Sequence, residues 1–194
     1  MNLALIFLGV LTSLSLWSAP QGTPPIVCRG KALPVTMLEK PGVEMRVPPI
    51  PIRFGGTRYG PIWQLGEKPL RLVIKTRDEF NDFWKGLAPP GRFLPPLPEV
   101  DFSKEMIVVL GMGLRPSPGF VIMIDGACEV DSQVDLFVSK VEDGPCGGVV
   151  PGVVTTPADI VRIPRSDLPI VFHEIQVPCV KWGEHLKGLS RGTQ

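Results

Sequence analysis

Apolar and polar positions along the middle of the chain follow two distinct periods. Leu70, Leu72 and Ile74 alternate with Arg71 and Lys75, the pattern of a half-buried strand. The period then changes. Phe80, Phe83, Trp84 and Leu87 recur at three- and four-residue spacing, which predicts an amphipathic helix with one apolar stripe. Thr76 and Glu79 stand ahead of the stripe at capping-box spacing, and Asp78 and Glu79 suit the positive end of the helix dipole. Gly86 is the expected left-handed stop.

Strand patterns follow in succession. Met106–Leu110 is a continuous apolar run and reads as buried on both faces. Phe120, Ile122 and Ile124 alternate with Val121, Met123 and Asp125, a register that carries Cys128 onto the face of Ile124. Val134, Leu136 and Val138 alternate with Asp135 and Ser139, and Ile160–Ile163 and Ile170–Val177 complete the set. Hairpin-length connections predict antiparallel pairing, and a single interrupting helix excludes a parallel βαβ fold. The expected fold is mainly β (α+β): an antiparallel sheet or small β-sandwich with one amphipathic helix packed on it.

The flanks read differently. Residues 20–60 carry eight prolines, so 20–57 is expected to be an extended arm, with Val43–Val47 alternating like an edge strand inside it. The globular domain is expected over 58–180, followed by a polar tail at 181–194. The 23 prolines and 21 glycines are roughly twice the average share, which excludes long helices, coiled coils and helical repeats. With 20 basic and 19 acidic residues, no charge excess exists to displace phosphate counterions, so a nucleic-acid partner is not expected. Only two asparagines occur, a thermophile-like usage that predicts a high melting temperature.

Leu3–Ala19 is free of charge. Its apolar stretch Leu3–Leu11 precedes small and polar residues, the form of a signal peptide or, if uncleaved, of an N-terminal membrane anchor. The chain therefore reads as exported: periplasmic, at the cell surface or secreted, touching a membrane only through this segment. Four cysteines, Cys28, Cys128, Cys146 and Cys179, fit two disulfides in an oxidising compartment, with three pairings open and free buried thiols as the alternative. Cys146–Cys179 is favoured because it would staple a glycine-rich loop to the last strand. Cys28–Cys128 would then pin the arm to the sheet.

Catalytic chemistry is poorly represented. His173 and His185 lie on either side of a predicted strand end, and no metal-ligand spacing surrounds them. Gly111-Met112-Gly113 lacks the third glycine and the helix of a phosphate-binding loop. No cofactor or metal is expected. A hydrolase using Cys146 or His173 is the remaining enzymatic alternative, without the sequence surroundings of known Cys–His or serine enzymes. Two loops suit protein binding, because proline and glycine fix their shape: Arg115-Pro116-Ser117-Pro118-Gly119-Phe120, and Asp143–Gly148 with Gly147 and Gly148.

An ordered set of motifs carries a family resemblance. Val100-Asp101-Phe102-Ser103-Lys104-Glu105-Met106 enters a strand. Gly111, Arg115-Pro116, Gly119-Phe120, Gly144-Pro145-Cys146 and Thr155-x-Pro157 before Ile160–Pro164 follow in order. Together they resemble the PrcB-like domain, named for a subunit of a bacterial surface protease complex, over residues 58–164. Ser117-Pro118 departs from that family's usual small residues and second glycine. The resemblance implies a non-catalytic exported bacterial accessory domain whose partner is another envelope or secreted protein, a protease in the named member. The two loops also resemble those by which chagasin-like inhibitors wedge into papain-like clefts, with Arg115 in place of their asparagine. A secreted protease inhibitor is therefore the alternative.

Overall fold

Eight strands and one helix account for the regular structure in a computed structural model that describes residues 27–38, 65–87, 96–117, 119–144 and 154–179. In chain order they are β1 (Lys31–Leu33), β2 (Thr36–Met37), β3 (Leu70–Ile74), α1 (Arg77–Gly86), β4 (Glu105–Gly111), β5 (Val121–Val130), β6 (Gln133–Val141), β7 (Ala158–Pro164) and β8 (Ile170–Gln176). The strands form two four-stranded sheets, ordered β1-β5-β6-β8 and β2-β7-β4-β3. The leader, Val43–Val47 and the 181–194 tail lie outside the described residues.

Alternation in the strands sorts side chains into two main cores, beside a small third cluster of Val121, Val141 and Val177. Met106, Val108 and Leu110 of β4 meet Ile122 and Ile124 of β5 and Val134, Leu136 and Val138 of β6 between the sheets. The intervening Ile107 and Val109 face α1, where they pack with Ile74, Ile160, Phe80, Trp84 and Leu87. Met106–Leu110 is thus buried on both faces, as its unbroken apolar run predicts. Burial of a side chain such as Phe80 contributes roughly 1.5–3 kcal/mol, and Phe80 is fully enclosed.

The capping box of α1 is present in full. The Thr76 hydroxyl accepts from the Glu79 amide at 3.3 Å, and the Glu79 carboxylate accepts from the Thr76 amide at 3.1 Å. The predicted stop is corrected: Gly86 is a helical residue, not a left-handed one. The helix ends instead at Leu87, whose amide donates to Trp84 in a tightened last turn. That turn keeps Leu87 in the core beneath the helix, which a left-handed residue at 86 would have rotated away.

Two further expectations change. A bulge at Asp125 shifts the register between Ile124, opposite Val138, and Gly126, opposite Phe137. Ala127 therefore takes the core face opposite Leu136, and Cys128 falls on the other face opposite Asp135. The extra residue is what moves Cys128 off the Ile124 face. The second change is in pairing. Six of the described strands pair only antiparallel, but β8 joins β6 in parallel. From β6 the chain crosses to β7 in the other sheet and returns, so two reversals leave β8 running with β6.

The described part of the arm belongs to the sandwich. β1 extends one sheet alongside β5, and after Pro34-Val35 the chain crosses so that β2 extends the other alongside β7. The Cys28–Cys128 disulfide, between residues 100 apart in sequence, fastens this segment to β5. Cys179 is also disulfide-bonded, and Cys146 lies outside the described residues.

Candidate functional site

One end of the sandwich is made of six strand termini: the starts of β3, β5 and β7 and the ends of β4, β6 and β8. Both loops singled out from the sequence leave from this end. The ladder between β4 and β7 continues past the sheet there. The Met112 amide donates to the Pro157 carbonyl at 2.9 Å, and Arg115 and Thr155 exchange backbone hydrogen bonds of 2.8 and 2.9 Å. The Thr155 hydroxyl also donates to the Ser117 carbonyl at 3.0 Å. Gly113 has a φ of 74° and packs so closely on the Glu67–Lys68 backbone that a side chain would overlap it. The Leu114 amide donates to the Glu67 carbonyl, which fixes the loop from its other side.

Arg115 is committed locally. Its guanidinium lies 3.9 Å from Glu142 and 5.8 Å from the centroid of the Phe120 ring. Phe120 is half-buried and packs against the inter-sheet core, while Gly119, with a φ of 101°, is buried. Pro116 is exposed. Pro118, Gly147 and Gly148 lie outside the described residues. Gly144 of the second loop sits directly on the first: a Cβ there would stand 2.7 Å from the Gly119 carbonyl oxygen and 3.3 Å from the Phe120 nitrogen.

Sequence reasoning missed the residues most available at this end. Leu114 and Val154 are 43% and 59% exposed, and they flank the Arg115–Thr155 bridge. Leu114 precedes Arg115 and Val154 precedes Thr155, so the antiparallel bridge holds them diagonally across from each other on fixed backbone. Arg115 and Phe120, chosen from the sequence, instead brace the loop from within.

A belt of charge closes the core beneath this end. Arg71 Nε lies 2.6 Å from Glu174 Oε1, and Lys140 Nζ lies 3.5 Å from Glu174 and 3.3 Å from Glu142. The hydrogen bond from Arg71 holds the Glu174 carboxyl below the usual glutamate range, against the opposing effect of its partial burial; Lys140 adds to the lowering.

His173 lies on the outer face of its sheet. Its Nε2 is 2.9 Å from Asp135 Oδ1, and its ring stacks on Phe137 at 5.6 Å. The hydrogen bond to His173, and that from Gln133, hold Asp135 below the ordinary aspartate value. This pair ties β8 to β6. Ser166, near His173 in sequence, instead accepts from the Leu168 amide in the β7–β8 turn. Cys146 and His185 lie outside the described residues. Among the described residues, no cluster of three or more His, Cys, Asp or Glu is placed to hold a metal. An open cleft of about 440 Å³, lined by Arg77, Glu99, Val100, Asp101 and Phe102, lies at the opposite end of the sandwich.

Comparison of the chain with protein families, with curated proteins and with solved structures gives no match.

Proposed function

We propose that the chain is a non-catalytic, exported accessory domain that binds another envelope or secreted protein through the loop end of the sandwich. The resemblance to the PrcB-like domain makes an envelope protease the partner class, with association and stabilisation as the role. Export is supported by the uncharged leader and by the Cys28–Cys128 disulfide, a bond that persists in oxidising compartments.

The observation that carries the reading is the exposure of Leu114 and Val154 on backbone already fixed by the Arg115–Thr155 bridge. Apolar side chains on preset loops lose little conformational freedom on binding, so their burial goes largely into affinity. Capture from the envelope fraction of the source organism tests it, with the tagged oxidised chain and a Leu114→Glu/Val154→Glu variant. A protein held by the parent and lost by the variant, at unchanged melting temperature, supports the reading. The accessory role adds that a captured protease lives longer in the presence of the parent. Equal capture by both chains, or specific capture by neither, overturns it.

One observation favours a second reading, inhibition of a papain-like protease: Gly144, at the start of the second loop, packs on Gly119 of the first, and a two-loop wedge needs its loops to start together. Titration of papain with the oxidised chain separates the readings. Stoichiometric loss of activity supports the inhibitor, and unchanged activity leaves the accessory role.

A further inference from the structure

The two sheets expose four edge strands, and these are not equally guarded. β1 has three residues and β2 has two. β3 has five and runs straight into the cap of α1, and the Leu70 and Lys75 carbonyls accept from Arg71 and Arg165 at 2.7 Å each. β8 has seven residues and, among the described strands, borders only β6. Its two flanking bonds set its polarity. The Val134 amide donates to the Pro169 carbonyl at 2.9 Å, and the Val177 amide donates to the Lys140 carbonyl at 2.8 Å. Backbone alternation then turns odd-numbered residues toward β6. The N–H and C=O of Ile170, Phe172, Glu174 and Gln176 point to the open side, where no strand flanks them among the described residues.

We propose that the open edge of β8 takes up an extended peptide segment of a partner protein as an added strand. Alternate, outward-facing donors and acceptors match the backbone repeat of an extended chain. Pro169 and Pro178 bracket the edge and limit the added strand to its length. Ile170 and Phe172 are half-buried at the rim of the inter-sheet core, so the segment carries apolar residues beside them. Glu174 is committed to Arg71 and Lys140, so a polar residue stands beside it. A second copy of this chain fits less well: two-fold pairing centred on His173 or Glu174 opposes like groups, and pairing centred on Phe172 or Val171 sets Glu174 against Ile170 or Leu168. This surface is distinct from the loop end, and the inference stands whether or not that end binds.

The test uses the oxidised full-length chain and a display library of random dodecapeptides, followed by hydrogen exchange with the enriched peptide, synthesised free. The expected result is fast exchange at Phe172, Glu174 and Gln176 in the free chain, slowed about tenfold or more by the peptide. Gln176→Pro removes an outward N–H and leaves the β6 ladder intact, so it weakens the peptide by about tenfold at unchanged melting temperature. The exchange footprint on the unaltered chain decides the matter should that variant not fold. Four results overturn the proposal: no peptide enriches; peptides protect only the Leu114–Gly119 loop; the outward amides are already slow in the dilute free chain; or their protection rises with protein concentration alone, which assigns the edge to a second copy.

Discussion

Arg71 and Glu174 stand 103 residues apart in sequence and meet across the sandwich, Nε to Oε1 at 2.6 Å, joining edge strands of different sheets. Each side chain is about a quarter exposed. Arg71 also donates to the Leu70 and Gly111 carbonyls, and Glu174 also pairs with Lys140. The pair therefore closes the open side of the inter-sheet core, where neither sheet has another strand among the described residues. A half-shielded contact of this kind holds geometry more than it adds stability, since desolvation offsets much of the attraction.

Glu174→Gln tests that contact. It keeps shape and removes charge, and it should lower stability at neutral pH by about 1–2 kcal/mol, between an exposed and a buried pair. The pH dependence has a definite sign. The folded-state pKa of Glu174 is depressed below 4.5, so the contribution is complete above that value. It is lost as pH falls through the lower folded-state value. Urea midpoints of parent and variant should differ at pH 7 and converge in acid. Parallel curves at all pH values would show that the charge contributes nothing.

Thr76→Ala should cost about 1 kcal/mol, the usual effect of removing an N-cap oxygen. The loss is local, because Thr76 and Glu79 satisfy each other's amides and touch no other element through these bonds. Hydrogen exchange should therefore quicken first at the Glu79 amide, ahead of strands β4 and β7. Uniform quickening throughout the sandwich would contradict a local cap.

The features legible in the sequence are those that depend on near neighbours. Thr76 and Glu79 declare the helix start, and the spacing of Phe80, Trp84 and Leu87 declares its buried face. The unbroken run Met106–Leu110 declares a strand enclosed on both sides. Cys128 was misplaced because its face depends on one extra residue, Asp125, and a bulge leaves no periodic trace beyond the break itself. The direction of β8 was hidden because it depends on which sheet β7 joins. Leu114 and Val154 read as ordinary loop residues, since the Arg115–Thr155 bridge that fixes the backbone beside both joins segments far apart in sequence.

The Cys28–Cys128 bond closes a loop spanning 100 residues, so the paired change Cys28→Ala/Cys128→Ala should lower stability by about 4–5 kcal/mol through the unfolded chain alone. There should also be a local consequence. β1 has only three residues, and without the bond only that short ladder and the buried Leu33 side chain hold it against β5. Limited proteolysis of the double variant should cut within 27–38 under conditions where the rest of the sandwich survives. Resistance equal to that of the parent would show that strand pairing alone anchors the segment.

The bulge at Asp125 gives the last prediction. Ile124 stands at the register break, and its amide is satisfied from the opposite sheet, by Asp159 Oδ2 at 2.8 Å. Ile124 is itself buried in the inter-sheet core, so water cannot readily replace that acceptor. Asp159→Ala should therefore cost about 2 kcal/mol, the penalty for stranding a buried donor. Asp159→Asn keeps a carbonyl oxygen at the position and should recover most of the loss. The amide resonance of Ile124 should shift in the alanine variant and return in the asparagine one. Equal destabilisation by both changes would mean that the carboxylate charge, not its acceptor oxygen, matters at the bulge.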